Sequence, residues 1–336
     1  MKPGLVLLAA ALLCGCGRYA SFTLPVPAGA PSEINWQWVP EAAPVLEPGP
    51  AGAWDSSDVL NPSVIRWKDG YLNLYSGFDG RAWHTGIAES PDGVHWTKRG
   101  KVLSPDGSDW ESGYIAANGS AIATRGRIRY YYQGGGHGGQ DGPPPQIGLA
   151  ESSDGATFTK HGKPVLTTGP YMSWDERGVS DPYVIVAGGR FYLFYTGLDR
   201  ARRQRLGVAE SSDGITWTKL RSNPVLEPGG FGEFDENGLG EPAVWASHGY
   251  YWMLYTGRDR AEHRRIGLAR SRDGVHWVKS PLVISGAEAW DSMVVCDPTV
   301  EPSQGGVRVW FGGGEAARPD ERIHGRIGVG LLRPAP

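Results

Sequence analysis

The chain has 336 residues, of which 40% are hydrophobic and 21% are charged, and its formal net charge is -3. That balance allows a large buried core and gives no basic surface for nucleic acid or another polyanion. Its 50 glycines and 26 prolines separate short runs rich in the 14 tryptophans and 14 tyrosines. This pattern predicts an all-β protein with many turns.

The first 33 residues form a separate unit. Residues 1–15 join a charged start to an apolar run too short to span a bilayer, as in a secretory signal. The string Leu13-Cys14-Gly15-Cys16 resembles a bacterial lipobox and predicts cleavage before Cys16 and acylation of its thiol; an ordinary cleaved signal is the alternative. Residues 16–33 are then an acylated cysteine and a flexible tether. We expect an exported lipoprotein, at the outer membrane or cell surface, whose remaining Cys296 has no internal disulfide partner.

From residue 34 to residue 336 the chain repeats itself about every sixty residues. Four segments align, and each contains an Asp-Gly pair, which between apolar runs is a strong hairpin signal. They are TGIAESPDGVHWTK (85–98), IGLAESSDGATFTK (147–160), LGVAESSDGITWTK (206–219) and IGLARSRDGVHWVK (266–279).

An aromatic residue followed by an acid marks the start of five repeats, numbered 1 to 5 in chain order. These landmarks are Trp54-Asp55, Trp110-Glu111, Trp174-Asp175, Phe234-Asp235 and Trp290-Asp291. Repeat 5 ends without its hairpin, whereas residues 36–49 look like an outer strand that lacks a partner. We therefore predict a five-bladed β-propeller whose N-terminal strand completes the last blade and closes the ring. Residue types kept in every repeat are interpreted as scaffold.

Seven residues after each landmark aromatic lies a position whose chemistry changes between repeats. It holds Asn61, Ala117, Asp181, Glu241 and Asp297. The innermost strand of a blade begins here, so these side chains should ring the mouth of a central channel. Asp or Asn before Pro also initiates turns, which would explain Asn61 but not Glu241. We interpret Asp181 and Glu241 as site residues.

The loops after the second strand of each repeat should open on the same rim. GLDRARRQRLG (197–207) and GRDRAEHRRIG (257–267) are near copies. The candidate substrate-binding residues of the rim, besides Asn61, are Trp83, His84, Asp199, Arg200, Asp259, Arg260 and His324. A solvated rim braced by Asp–Arg pairs is the alternative, and Trp83 could either stack on a sugar or anchor its loop.

Other chemistries have weaker support. No His/Cys set has metal-ligand spacing, and no Gly-rich phosphate loop is present. We expect no cofactor, although a structural calcium in the channel stays open. Cys296 is interpreted as a small buried residue.

Five blades, with an acid before Pro in repeats 3 and 4, resemble the furanosidase propeller superfamily. This comprises glycoside hydrolase families 43, 62, 32 and 68, with the mannoside-phosphorylase family 130 as a relative. The resemblance covers residues from about 34 to 334. It implies that Glu241 is a general acid. It also implies that Asp181 adjusts the pKa of that acid and binds substrate. In that superfamily repeat 1 supplies an aspartate that acts as base or nucleophile. The equivalent position here is Asn61, which cannot accept a proton.

Three explanations of Asn61 remain open. Asp58, three residues earlier, could reach over the rim; Asp297 of repeat 5 could serve instead; or hydrolysis has been lost. The predicted function is hydrolysis of an extracellular poly- or oligosaccharide by a monomer with a carboxylate acid/base mechanism. A carbohydrate-binding propeller without turnover is the alternative. Phosphorolysis is less favoured, although the arginines of the rim allow it: Arg203, Arg205, Arg264 and Arg265.

Overall fold

The computed structural model describes residues 18–136, 142–319 and 321–335, so Cys16 and the predicted signal lie outside the described residues. Within these ranges the fold is all-β, and the helical structure amounts to one 3-10 turn, Ala289–Asp291. None of the helical structure in this part of the chain has the length and hydrophobicity required to cross a membrane.

The strands follow one another in short antiparallel runs that match the sequence repeats. In chain order they are β1 (Tyr19–Ala20), β2 (Trp36–Pro40), β3 (Asp58–Trp67), β4 (Gly70–Phe78), β5 (Trp83–Ser90), β6 (Thr97–Leu103), β7 (Ile115–Thr124), β8 (Arg127–Gly135), β9 (Gln146–Ser152), β10 (Thr159–Lys160), β11 (Gly178–Ala187), β12 (Arg190–Leu198), β13 (Gln204–Ser211), β14 (Thr218–Leu220), β15 (Gly238–Ser247), β16 (Tyr250–Arg258), β17 (Arg264–Ser271), β18 (Trp277–Ile284), β19 (Val294–Ser303), β20 (Gly306–Gly314) and β21 (Arg326–Pro334).

Strand pairing follows the repeats. Each of repeats 1 to 4 pairs four consecutive strands antiparallel in sequence order: β3 to β6, β7 to β10, β11 to β14 and β15 to β18. Repeat 5 supplies only β19, β20 and β21, and its outer neighbour is β2, with Trp36 opposite Pro334. An N-terminal strand therefore forms the outer edge of the last repeat.

The Asp-Gly hairpins close through side-chain hydrogen bonds. In the first, the Asp92 carboxylate accepts the backbone N–H groups of Val94 and His95, both at 2.9 Å, while Gly93 adopts a φ of 80°. The same arrangement recurs at Asp154, Asp213 and Asp273. Aspartate thus satisfies the turn amides, and glycine supplies the left-handed backbone.

The landmark pairs are scaffold, as predicted. The Trp54 ring lies over Gly77, where an added Cβ would come within 2.3 Å of it, so only glycine fits there. The acid of the pair, Asp55, accepts hydrogen bonds from the Tyr75 hydroxyl at 3.0 Å and from Lys98 at 2.6 Å. Repeats 3 and 4 repeat this buried set around Asp175 and Asp235.

The structure differs from the prediction of a flexible tether. Residues 18–35, named the strap here, lie against the outer parts of repeats 3 and 4. β1 pairs parallel with β14, and the Leu24 N–H donates to the Asp273 carbonyl at 2.8 Å. The Tyr251 hydroxyl donates to the Pro25 carbonyl at 2.6 Å. Leu24 is 2% exposed and belongs to the core between these repeats.

Candidate active site

The site is built on a distortion that recurs in the first strand of every repeat. Pairing between the first and second strands shifts register at one point, as in a β-bulge. The residue there has a left-handed backbone, with φ between 48° and 53°: Asn61, Asn118, Asp181, Glu241 and Asp297. The next residue is proline except in repeat 2, where it is Gly119.

One member of this set differs from the sequence prediction. The bulge residue of repeat 2 is Asn118, whereas Ala117 pairs with Gln133 before the register shift. Repeat 2 has one more residue between its landmark and the bulge than the other repeats, so a fixed spacing of seven misses it. Asn and Asp tolerate a left-handed backbone, but Glu does so at a cost of about 1–2 kcal/mol.

The five bulge residues converge on one cavity. All five line a cavity of about 360 Å³, together with residues of the strand ends and loops around it. Repeats 1 and 2 contribute the amides Asn61 and Asn118, while repeats 3, 4 and 5 contribute carboxyl groups. The acidic groups are therefore concentrated on one side of the cavity. Four of the five residues predicted to ring a channel line this cavity, and Asn118 stands in place of Ala117.

Glu241 is close enough to Asp181 and Asp297 for its charge to act on both. Ligand atoms of Glu241, Asp297 and Cys296 lie within 4.8 Å of one another, and a Cβ added to Gly240 would be 3.6 Å from Asp181 Oδ2. Glu241 Oε2 is buried and has no hydrogen-bond partner among the described residues. An unpartnered acidic oxygen in a cavity is positioned to interact with a bound molecule.

Asp297 is held more firmly than Glu241. Its carboxylate accepts the Asn61 backbone N–H at 3.1 Å, and its own N–H donates to Thr256 Oγ1 at 3.1 Å. The Asp181 carboxylate accepts a hydrogen bond from the Ser180 hydroxyl at 3.0 Å. Two of the three acids are thus fixed by short contacts, as a preorganised site requires.

Burial and mutual repulsion keep protons in this cluster. Burial, followed by the charge of Glu241, raises the pKa of Asp181 to about 7. The same two causes, in the same order, raise the pKa of Asp297 well above its usual value, although Arg264 opposes the shift. Carboxyl groups that repel one another titrate as a unit. The cluster can therefore donate a proton near neutral pH.

Basic and amide side chains form the wall beside the acids, and sequence reasoning missed most of them. Arg258 donates to Gln204 at 2.8 Å and pairs with Glu262 at 3.3 Å; all three line the cavity. Arg202 and Arg264 line it as well. These residues stand at strand ends and loop tips of repeats 3 and 4. They lie near the bulge residues because of how neighbouring repeats pack. A local sequence pattern does not reveal that packing.

The Glu241, Cys296 and Asp297 cluster could also hold a metal ion on distance alone. Two carboxylates and a thiol do not fit calcium, which takes six to eight oxygen ligands.

Asp58 lies away from the cavity lining, in contrast to its predicted role as a base. Its carboxylate accepts the backbone N–H groups of Arg322 at 2.7 Å, Ile323 at 3.0 Å and Gly325 at 2.8 Å. It is fully buried. Asp58 therefore fastens a loop of repeat 5 to repeat 1, and its carboxylate is occupied by three backbone amides.

Trp83 lines the cavity but is only 4% exposed. Its ring stacks on Phe78, with ring centroids 4.9 Å apart, inside an apolar cluster. The structure therefore favours the loop anchor over the exposed sugar platform.

The predicted rim residues mostly brace their own loops. Asp199 accepts hydrogen bonds from Arg203 at 2.9 Å and Arg205 at 2.8 Å. Asp259 lies 3.0 Å from His263 and 3.6 Å from Arg265. Neither aspartate lines the cavity. These contacts agree with the alternative given above for the rim, in which Asp–Arg pairs brace the loops instead of binding substrate.

The two predicted histidines are also paired outside the cavity lining. His84 lies between Asp79 at 3.2 Å and Ser104 at 3.1 Å, and burial lowers its pKa. His324 lies 2.6 Å from Glu315 on an exposed loop. Neither histidine lines the cavity, so the structure does not bring them into the site.

Arg200 and Arg260 pair with groups outside the cavity lining. Arg200 donates to Glu176 at 2.8 Å and to the Tyr171 hydroxyl at 3.0 Å. Arg260 lies 3.6 Å from Glu236. Neither arginine lines the cavity.

Sequence comparison connects the chain to carbohydrate-active enzymes. The family model described as glycosyl hydrolases family 32 N-terminal domain matches residues 71–192 and residues 175–301. An uncharacterized protein of Mycobacterium tuberculosis is 29% identical over 229 residues, covering 64% of this chain and 75% of that protein. A 1,2-beta-oligomannan phosphorylase of Thermoanaerobacter sp. is 32% identical over 131 residues, covering 36% of this chain and 43% of the enzyme.

Solved structures share the fold. A structure from work on glycoside hydrolases of the GH130 family that target beta-1,2 mannosidic linkages is 15% identical, with a TM-score of 0.70. It covers 93% of this chain and 99% of its own. A thermostable family-43 glycoside hydrolase is 17% identical, with a TM-score of 0.63, and the match covers 86% of this chain and 96% of that one. The shared fold is all-β and propeller-like.

Proposed function

The chain belongs to the family of the glycosyl hydrolases family 32 N-terminal domain, and from this premise we propose that it hydrolyses glycosidic bonds in an extracellular poly- or oligosaccharide. One observation carries the proposal: equivalent positions of three consecutive repeats place Asp181, Glu241 and Asp297 together in one cavity. A purely structural demand of the bulge would favour Asn or Asp and would not place Glu there.

Glu241 is the proposed proton donor to the leaving sugar oxygen. Its Oε2 has no partner among the described residues, and it is the longest acid of the set. Asp181, whose pKa is raised to about 7 by burial and by Glu241, helps to keep a proton in the cluster. Glycoside cleavage needs one protonated and one ionised carboxyl group, and mutual repulsion among three groups favours that mixture.

Asp297 is the proposed second carboxylate. Asp58 is engaged by three backbone amides, and Asn61 cannot accept a proton. Asp297 approaches Glu241 to within 4.8 Å. Inverting enzymes place a water between carboxyl groups about 6.5–9.5 Å apart, and the approach of Asp297 to Glu241 gives no support to that arrangement.

Glu241→Gln tests the function because it keeps the shape of the side chain but removes the proton donor. We expect activity to fall at least about 100-fold, within the contribution of general acid catalysis, with a melting temperature that does not fall. Release of reducing sugar would be measured on levan, inulin, arabinan, arabinoxylan and mannan. Glu227→Gln, an exposed glutamate outside the cavity, is the matched control. Full activity in Glu241→Gln would refute the assignment, and an inert wild type that still binds a polysaccharide would favour the non-catalytic alternative.

Phosphorolysis is the second candidate, and the basic wall favours it. Arg202, Arg258 and Arg264 line the same cavity as the acids, and Asn61 replaces the expected base. A phosphate oxygen could attack the anomeric carbon without a base while the acid gives its proton to the departing sugar oxygen. The products would be a sugar 1-phosphate and a shortened saccharide. Turnover of β-1,2-linked mannooligosaccharides only when inorganic phosphate is present would select this function.

The architecture proposed for this function is five blades in a closed ring. The pairing of β2 with β21 supports it. So do contacts between the last and first repeats, such as the Trp310 Nε1–H that donates to the Gly93 carbonyl at 2.7 Å. The carboxylate of Asp58 in repeat 1 also holds a loop of repeat 5.

Location is a separate proposal, since Cys16 lies outside the described residues. The lipobox-like string before it supports acylation of its thiol and anchoring of an exported protein to a membrane. We expect Cys16→Ser to move the protein from the membrane fraction to the soluble fraction. A wild type found wholly soluble after export would refute the anchor.

A further inference from the structure

Two large aromatic side chains are exposed at equivalent places of repeats 3 and 4. Tyr171 is 73% exposed and Phe231 is 86% exposed. Each stands three residues before the landmark aromatic of its repeat, where the other repeats have Ala51, Gly107 and Ala287. The scaffold therefore does not need an aromatic there, and exposing one to water gives no stability.

Each ring is paired with an arginine that is itself held in place. The Arg200 guanidinium lies 4.3 Å from the Tyr171 ring centroid, and that of Arg260 lies 5.0 Å from the Phe231 centroid. Glu176 and Glu236 occupy the same position in their repeats and pair with these arginines. The corresponding residues of the other repeats are Ser56, Ser112 and Ser292. The complete group thus occurs in the two repeats that supply Asp181 and Glu241.

Both groups are linked to the cavity through the chain. Arg202 follows Arg200 by two residues, and Glu262 follows Arg260 by two residues; both line the cavity. Two residues span at most about 7.2 Å between Cα atoms. One short loop in each repeat therefore carries a cavity residue and the arginine beside an exposed ring.

We propose that Tyr171 and Phe231 are two saccharide platforms that bind sugar units of the same chain whose bond is cleaved in the cavity. This rests on the proposed function. The apolar face of a pyranose or furanose ring packs on an aromatic ring, and the neighbouring guanidinium donates hydrogen bonds to its hydroxyls. The substrate class is therefore a saccharide long enough to extend from the cavity over repeats 3 and 4, rather than a disaccharide.

Binding is tested in the Glu241→Gln protein, so that turnover cannot consume the ligand. Affinity electrophoresis through gels containing levan, inulin, arabinan, arabinoxylan or mannan compares that protein with versions that add Tyr171→Ala, Phe231→Ala or both. We expect retention by at least one polysaccharide, weakened about tenfold by each ring removed. Tyr171→Phe and Phe231→Tyr should keep retention because they keep a ring, and Val278→Ala, another exposed apolar residue, should leave it unchanged.

The outcomes separate the two proposals. If retention depends on the rings but the wild type releases no sugar, the platforms are supported and the proposal of a hydrolase is contradicted. Turnover of a polysaccharide with retention that ignores both rings overturns the platforms alone. No retention on any gel overturns them as well. So does ring-dependent binding to phosphatidylglycerol vesicles without polysaccharide retention, since the rings would then contact a lipid surface.

Discussion

Glu241 is the one bulge residue whose side chain does not suit its left-handed backbone. The other four are Asn or Asp, which reach this conformation readily. A glutamate in a left-handed backbone is strained, and such strain persists where function requires it. The change of residue type between repeats could be read from the sequence. The left-handed backbone at this position, which makes a glutamate unusual there, could not.

Asp181 should destabilise the folded protein at neutral pH. Its pKa is raised to about 7 from an ordinary value of 3.8, so the folded state binds its proton more tightly than the unfolded state. Stability from this group is complete below about pH 4 and is lost as pH rises towards 7. We expect Asp181→Asn to raise the free energy of unfolding at pH 8 by on the order of 2–4 kcal/mol, with little effect at pH 4.

Urea unfolding at the two pH values measures this difference. Asn118→Asp, which adds a carboxyl group at the equivalent position of repeat 2, is the reverse control and should destabilise at pH 8. A stability gain in Asp181→Asn that is equal at pH 4 and pH 8 would contradict the electrostatic explanation.

Trp83 illustrates a second limit of sequence reasoning at the residue scale. Its position outside the recurrent tryptophans left two roles open, a sugar platform and a loop anchor, and Phe78 and the apolar residues around it cover the ring. We expect Trp83→Ala to destabilise the protein by about 3–5 kcal/mol, as large-to-small core changes do, and Trp83→Phe to recover part of the loss. Polysaccharide binding that falls while the melting temperature holds would restore the platform interpretation.

At the scale of elements, the strap shows what periodicity cannot detect. Its residues have no regular pattern, because they pack as an irregular segment on surfaces made by other repeats. Leu24 fits against Gly274, where an added Cβ would come within 2.7 Å of the leucine side chain. The strands and hairpins, by contrast, were predictable because Asp-Gly turns and alternating residues are local signals.

Leu24→Ala should cost about 2–3 kcal/mol of stability, since it removes a buried side chain. Val26→Ala is the matched control: Val26 lies two residues along the strap and is 79% exposed, so its truncation should change stability by less than about 0.5 kcal/mol. Chemical denaturation of the two variants compares them directly. Equal, small effects would mean that the strap is a tether in solution.

At the scale of the whole molecule, repeats made the site partly predictable. Asp181, Glu241 and Asp297 were found because equivalent positions could be compared within one chain. Arg258, Gln204 and the fastening role of Asp58 were not, because they depend on contacts between repeats that lie far apart in sequence.

Closure of the ring gives the last prediction. Trp38 of β2 packs edge-on against Phe311, with ring centroids 5.7 Å apart, and lies over Gly330, where an added Cβ would come within 2.4 Å of the ring. A chain that starts at residue 41 loses this strand and leaves the β21 edge and its apolar cover open. It should aggregate or lose its single cooperative unfolding transition. A chain that starts at residue 34 keeps β2, lacks most of the strap, and should still unfold cooperatively at a lower temperature. Scanning calorimetry and light scattering compare the two, and if both chains unfold in the same cooperative transition, the N-terminal strand does not close the ring.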